Sequence, residues 1–533
     1  MADQEQEESV DVSPPTDSDR ASLDLTEDNL LDVLLYKGVL PRYAFPTDVA
    51  SFFVFDVTMS SYRPAYRHSP QQGLTVALSQ YAPGKEVWIA NQRFLSGAIY
   101  SPFSGDRRAA WQRRRLYYEC QRCGNTITRP LASGERGETL SCGGCADPHS
   151  LGPARLWFRP PGFAHPVDID PGTSPDDSPG MSYPTRAKLE APTPELTDAR
   201  WSDVGLKVRV LYTRESLLVT NSGPKREGYN YCLACGRIEP VAVRQSKLFA
   251  AHKKPYPDPK KPDCPGVATS REICLGTDYV TDILLCQLSV EPPVELRSDV
   301  FATEIALRTL SEALSLAACR VLELEPGEVQ AEFRPAVSLA GQDGRMAEIF
   351  LYDSLPGGAG FARQVGNVFK KVLEQAERVL SDCTCDTSCY RCLRSFKNRF
   401  EHSKLHRHIA LELLRYIRDG IVPTVPQERI TKSATLIAED LRRQAGDALR
   451  IDLDIAVLDP SVGSVEVPLT IAKGSKQIVV CLTHSLTPGT PATDQQKELA
   501  EFSTTPVVCL HELLVEWALP HASQQLLSSL DVT

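Results

Sequence analysis

A chain of 533 residues exceeds what one hydrophobic core organises, so three or four folded units are expected. Its 42% hydrophobic residues never gather into the roughly twenty-residue apolar run of a membrane span, which excludes a transmembrane class. The formal charge of −10 speaks against coating nucleic acid by bulk electrostatics, but Met1–Asp28 alone carry ten carboxylates against one arginine, so the other 505 residues are nearly neutral and leave room for local basic faces.

Residues 1–27 have almost nothing to bury and read as a disordered acidic tail. Without the basic and then apolar run of a secretory signal, a cytoplasmic chain with reduced thiols is expected. Residues 28–105 read as a β-rich region. A short helix at Asn29–Leu35 stops at Gly38, Leu40–Pro46 is held extended by its prolines, and strands are expected at Ser51–Val57, Leu74–Leu78 and Glu86–Ala90. Residues 106–165 hold a ribbon entered by the strand-like Leu116-Tyr117-Tyr118, and 166–200 are a Pro-, Asp- and Ser-rich linker. In 201–300, Val208–Tyr212 and Leu217–Val219 read as strands and Asp278–Leu288 as a buried strand.

Residues 301–420 begin with a helix over Phe301–Glu323. A β-type run, Ile349–Tyr352, then enters the Gly-rich turn Asp353–Gly360. Apolar residues at Phe361, Val365, Phe369, Leu373, Ala376 and Leu380 define one helix face, and Leu405, Ile409, Leu413 and Ile417 define that of a second helix. Residues 421–533 read as a small domain with strands at Ile451–Val457, Ser464–Leu469, Gln477–Leu482 and Pro506–Leu510 and a helix at Glu512–Leu519. The fold class is α+β multidomain: a zinc ribbon, a second zinc-binding α/β region, a helical zinc-stapled module and a small α/β C-terminal domain.

Twelve of the sixteen cysteines fall into three sets with metal-knuckle spacing. Cys120-x-x-Cys123 is followed after eighteen residues by Cys142-x-x-Cys145. Cys232-x-x-Cys235 closes through Cys264 and either His252 or Cys274. Cys383, Cys385, Cys389 and Cys392 place four thiols within ten residues, in the turn joining the two amphipathic helices. A tetrahedral zinc ion takes four soft ligands at about 2.3 Å, and each Cys-x-x-Cys turn delivers two. Four protein ligands leave no coordination position for water, so these sites are structural staples.

Basic residues crowd two of the clusters. Arg107, Arg108, Arg113, Arg114 and Arg115 precede the first, beside Trp111, Tyr117 and Tyr118; Arg391, Arg394, Lys397, Arg399, Lys404 and Arg407 surround the last. Cations with aromatics suit single-strand binding, since phosphates need charge and bases need a stacking surface. Arg113, Arg114, Arg115, Arg391, Arg394, Lys397, Arg399 and Arg407 are therefore the nucleic-acid candidates; the competing reading is that they offset the formal −2 of four thiolates around zinc. Asp353–Gly360 reads as a tight strand-to-helix turn with Asp353 as a cap, ahead of a phosphate cradle. Asp452, Asp454 and Glu466 are the acids a nuclease reading would need.

Leu351-Tyr352-Asp353, Pro356–Phe361, the Cys383–Cys392 cluster and Leu405-His406-Arg407 resemble the MrfA-like zinc-binding domain over roughly 300–419. That family is found at the C-terminus of superfamily 2 DNA helicases and in DrmB, the helicase-partner subunit of the DISARM antiphage system. Leu40–Pro46, Arg159–Phe163 and Leu275–Asp278 with Thr281-Asp282 resemble the region between motor and zinc domain. Such helicases need a Gly-x-x-x-x-Gly-Lys-Ser/Thr loop to hold phosphates. Gly-Lys occurs once in this chain, at Gly84-Lys85, with Ser79 where the earlier glycine belongs. The resemblance therefore implies a non-catalytic zinc-binding accessory subunit that binds DNA, with single strands among the candidate forms, and works in antiphage defence with a superfamily 2 helicase supplied in trans. The alternatives are a DNA-processing nuclease with its chemistry in the C-terminal domain, and a pure assembly scaffold.

Overall fold

The computed structural model describes residues 48–533 apart from 59–63, 104, 146, 173–185, 191–197, 243–245, 247, 299, 336–343, 396, 504 and 533. The acidic tail, the Asn29–Leu35 helix, the Leu40–Pro46 segment and much of the 166–200 linker lie outside these residues. Inside the linker range, Arg186–Leu189 is a strand on Val208–Asn221, which the local composition did not announce.

An 11-stranded sheet organises the chain from residue 115 to 353. Its spine is Thr269–Ser289, a 21-residue strand that extends well past the expected Asp278–Leu288. Val208–Asn221, one 14-residue strand where two short ones were expected, runs antiparallel along it. Met346–Asp353 pairs with the spine from Ser289 to Ile283, and Arg155–Phe158 joins it in parallel at Cys274 and Leu275. Successive side chains alternate faces. Leu284, Cys286 and Leu288 accordingly enter one core with the helices Phe301–Val321, Phe369–Ser381 and Arg407–Asp419, while Ile283 and Leu285 enter another with Phe52, Leu78 and Tyr118. Burial on both faces explains the nearly unbroken apolar run at this point in the sequence. The ribbon strands Arg115–Glu119 and Thr126–Pro130 continue the same sheet through Arg155–Phe158.

Glu86–Ile89 is a strand as expected, but Leu74–Gln80 is a helix, since Leu74, Ala77 and Leu78 are buried at i, i+3 and i+4. The helix expected from Phe361 is two helices, Phe361–Asn367 and Phe369–Ser381, because Val368 leaves helical geometry at φ −118°, ψ 18°.

The Gly-rich turn is anchored by carboxylates. Asp353 accepts hydrogen bonds from the amides of Ala359, Phe361 and Ala362, at 2.6, 3.0 and 2.7 Å, and Asp282 accepts from Gly360 at 3.0 Å. These acids sit where a phosphate would bind, so this helix start is satisfied internally. A Cβ at Gly358 would lie 2.2 Å from Asp282 Oδ2, and Gly358 has φ +74°, so the glycine is required there.

At the C-terminal end, strands Arg450–Asp459, Gly463–Lys473, Lys476–Thr483 and Val507–His511 form a separate 4-stranded sheet. Helices Gln427–Ala445 and Leu519–Val532 cover one face and Asp494–Phe502 the other. Ile430, Ala434, Ile437 and Leu441 mark the first of these helices at legible spacing, although it was not expected.

Candidate metal centres

The first cluster forms where the edge strand Arg115–Glu119 runs into Cys120. The turn is fixed by Gly124 at φ +72°, whose amide donates to Cys120 O at 2.9 Å. The second copies it, with Gly236 at φ +85° donating to Cys232 O at 2.8 Å. Only a residue comfortable at positive φ closes such a knuckle without strain.

The donor atoms converge in three tetrads: Cys120, Cys123, Cys142 and Cys145; Cys232, Cys235, His252 and Cys264; Cys383, Cys385, Cys389 and Cys392. Sulfur–sulfur separations are 3.5–3.7 Å in the first and third groups. Four ligands about 2.3 Å from one zinc ion stand about 3.8 Å apart at tetrahedral angles, whereas a disulfide would require about 2.05 Å. All sixteen cysteines are free thiols, and the clusters fit zinc by distance and donor type.

In the second tetrad the ligand pair His252 and Cys264 arises from register, since these residues face each other across a two-stranded ribbon. His252 Nδ1 lies 2.8 Å from Ala250 O, which places its proton there and leaves Nε2, 3.2 Å from Cys235 Sγ, as the ligand atom. Cys274 is elsewhere: it is buried against Tyr117, Trp157 and Leu218, with Ser222 Oγ 3.2 Å from its sulfur. The structure thus brings His252, and not Cys274, to this cluster.

The third tetrad joins helices Phe369–Ser381 and Arg407–Asp419. The amide of Arg391 and the neighbouring Cys383 thiol lower Cys389 to about 6, toward the thiolate a metal needs. Arg407 is only 8% exposed; its guanidinium donates to Cys385 O at 2.7 Å and Leu380 O at 3.1 Å. It braces the knuckle from inside and is removed from the nucleic-acid candidates.

The other candidates divide. Arg113 and Arg391 are exposed. Arg114 stacks on Trp111 at 4.9 Å, Arg115 lies 3.8 Å from Asp278, Arg394 donates to Ser388 at 2.9 Å, Lys397 donates to Pro326 O at 3.1 Å, and Arg399 stacks on Phe400 at 4.5 Å. Arg107 holds the carbonyls of Ala234 and Cys235, bracing the second knuckle. The aromatic surface expected beside the first cluster is core instead: Tyr117 and Tyr118 are 2% and 0% exposed, and Trp111 packs on Phe158 and Tyr231. Strand alternation could not reveal this, because the strand is covered on both faces. Sequence reasoning also passed over Tyr390, 71% exposed at the tip of the third knuckle.

A fourth group went unnoticed, since its members lie far apart in sequence: Glu412, His484 and Glu512. Leu486 N donates to His484 Nδ1 at 3.1 Å, so the ring proton sits on Nε2 and is directed at Glu412 Oε2, 2.7 Å away. Arg429 bridges Glu412 at 2.9 Å and Glu512 at 3.0 Å. A guanidinium and an imidazole N–H already compensate the carboxylates, so this is an ion-pair network. The acids Asp452, Asp454 and Glu466 form no such cluster among the described residues; Asp452 pairs with Arg450 at 2.9 Å.

Comparison with known proteins adds to this geometry. Residues 310–393 match the MrfA Zn-binding domain. That span contains the whole third tetrad. Over 502 residues, 90% of this chain, the sequence is 27% identical to Druantia protein DruE of Escherichia coli (strain UMEA 4076-1), of which it spans 26%. The crystal structure of DUF1998 helicase MrfA bound to DNA aligns with 69% of this chain and 34% of that one at 11% identity and a TM-score of 0.31. Its complex with DNA and AMPPNP aligns with 48% of this chain and 23% of that one, at 15% identity and a TM-score of 0.22. The chain therefore spans about a quarter to a third of these relatives. Among the described residues no helix is long and apolar enough to cross a membrane.

Proposed function

We propose that this chain is a zinc-stapled DNA-binding platform of an antiphage defence system, without catalysis of its own and working with a superfamily 2 helicase motor on another polypeptide. The observation that carries the reading is the third tetrad, closed by four thiolates inside the segment that matches the MrfA Zn-binding domain. Similarity to a Druantia protein along 90% of the chain supports the defence setting. Three zinc ions per chain are proposed, each with four protein ligands and hence no open position for a substrate. The metal makes the knuckles rigid, and the chain's own residues do the binding: exposed Arg113 and Arg391 for phosphates, with Arg114, Arg115, Arg394, Lys397 and Arg399 in supporting positions.

Purified chain tests this directly. Elemental analysis is expected to give three zinc ions per chain, and fluorescence anisotropy a complex with single-stranded DNA that weakens steeply with salt. ATP hydrolysis is expected only after a helicase is added. Hydrolysis by the chain alone, or metal-dependent cutting of the DNA, would overturn the non-catalytic reading; zinc without any DNA binding would reduce the chain to a scaffold.

A further inference from the structure

A cavity of about 590 Å³ begins beside the first metal centre, at Cys120, Arg122 and Cys123, and extends well beyond it. It runs past Arg155, Lys188 and Arg226 to Thr303, Arg308 and Lys404 at the start of the Phe301–Val321 helix. Seven lysines and arginines line it against three carboxylates; two of the seven, Arg334 and Arg122, face Glu348 and Asp147 outside the lining, at 2.6 and 3.9 Å.

The carboxylates are already used. Glu119 is held by Lys188 at 3.1 Å, Glu332 by Arg308 at 2.6 Å and Glu304 by Lys404 at 2.5 Å. Arg226 acts on Glu119 through space, and Arg155 donates to the carbonyl of Arg226, which brings the two residues together. At the other end the helix begins at an N-cap, Val300, that offers no side-chain hydrogen bond. Beside it Thr303 borders the groove; the residue is 3% exposed and its buried Oγ1 has no hydrogen-bond partner. An unsatisfied buried hydroxyl at one end of the groove and two neighbouring guanidinium groups at the other give an anion more than one anchor.

We propose that this groove is the track of one DNA strand, with one phosphate at the helix start beside Thr303 and others at Arg155 and Arg226. The volume matches small-molecule clefts, enough for a short run of nucleotides and too small for a duplex. This rests on the DNA-binding reading above and names the path that reading leaves open.

The test is anisotropy with a fluorescein-labelled oligothymidine across a salt series. Arg155→Glu with Arg226→Glu is expected to lower affinity at least about tenfold and to flatten the slope of log affinity against log salt by about 1.4, at roughly 0.7 per phosphate. Zinc content and melting temperature should stay at wild-type values. Thr303→Val, which changes no charge, is expected to lower affinity about threefold, an effect bulk electrostatics would not produce. Wild-type affinity and slope in the double variant, or wild-type affinity in Thr303→Val, would overturn the track while leaving the DNA-binding reading intact. A wild-type chain that binds no strand would fail at the earlier step.

Discussion

At its N-terminal end the helix Arg407–Asp419 is tied to the third thiol cluster by Arg407, whereas further along Glu412 ties the same helix to the C-terminal unit through Arg429, His484 and Glu512. The first hold draws its ligands from ten consecutive residues and stays partly accessible to solvent. The second gathers four residues spread over a hundred positions and buries His484 at 2% exposure. A soft metal can be gripped by a short loop with almost no core around it. Ion pairs that must hold without metal need packing from several elements to fix their geometry.

The contrast predicts different failures. Cys389→Ser with Cys392→Ser is expected to remove one zinc ion per chain on elemental analysis. It should also loosen both flanking helices, since structural zinc contributes on the order of 10 kcal/mol of folding-linked binding. Rapid hydrogen exchange in Phe369–Ser381 and Arg407–Asp419, with the C-terminal sheet still protected, is the expected pattern. Equal loss of protection in both regions would mean that the two holds act as one.

Arg429→Met attacks the other hold. It strands Glu412 and Glu512 with a single imidazole between them, and one lost partner in a buried network costs about 3–5 kcal/mol. Zinc content should not change. A urea titration that shows early exposure of the C-terminal unit would locate the damage.

The same network has a pH signature. Burial pushes Glu412 up, but His484 and Arg429 outweigh it and hold Glu412 below the usual carboxylate range. Its contribution is present above the unfolded pKa of about 4.3 and is lost as pH falls through its depressed folded value. Glu512 is the opposite case, with burial raising it against the pull of Arg429 and His484. Its contribution is complete below about 4.3 and is lost as pH rises through its raised folded value. Glu412→Gln is thus expected to destabilise at pH 7 by about 1–2 kcal/mol. Glu512→Gln should cost under about 1 kcal/mol and flatten the stability profile between about pH 4 and 7. If the two substitutions behave alike, the assignment of opposite shifts is wrong.

How much of this was legible follows the same division. The thiol clusters could be read because their ligands lie close in sequence at spacings that coordination imposes, and the resemblance over the third cluster rests on the same local run. The strand Thr269–Ser289 could be found but not measured, because its length depends on partners from residues 155 to 353. Leu74–Gln80 was misread since five apolar and small residues fit either period until burial chooses one. The Arg429 network and the groove carry no local pattern at all; tertiary packing alone brings their members together.

Cys274 sharpens the comparison with the smallest effect. By sequence it competed with His252 for the second tetrad, and a thiol ten residues after Cys264 is well placed to do so. In the fold it is fully buried under Trp157 and Tyr117, where burial raises its pKa and keeps it a thiol. Cys274→Ala is therefore expected to leave zinc content unchanged and to cost about 1 kcal/mol for a small cavity. His252→Ala, at a less buried position, should lower zinc occupancy of the second site because no other described imidazole or thiol stands within reach of Cys232, Cys235 and Cys264. The reverse outcome, zinc lost with Cys274 and kept without His252, would require the 252–264 ribbon to rearrange on metal binding, and the register that pairs His252 with Cys264 would then describe only the metal-free chain.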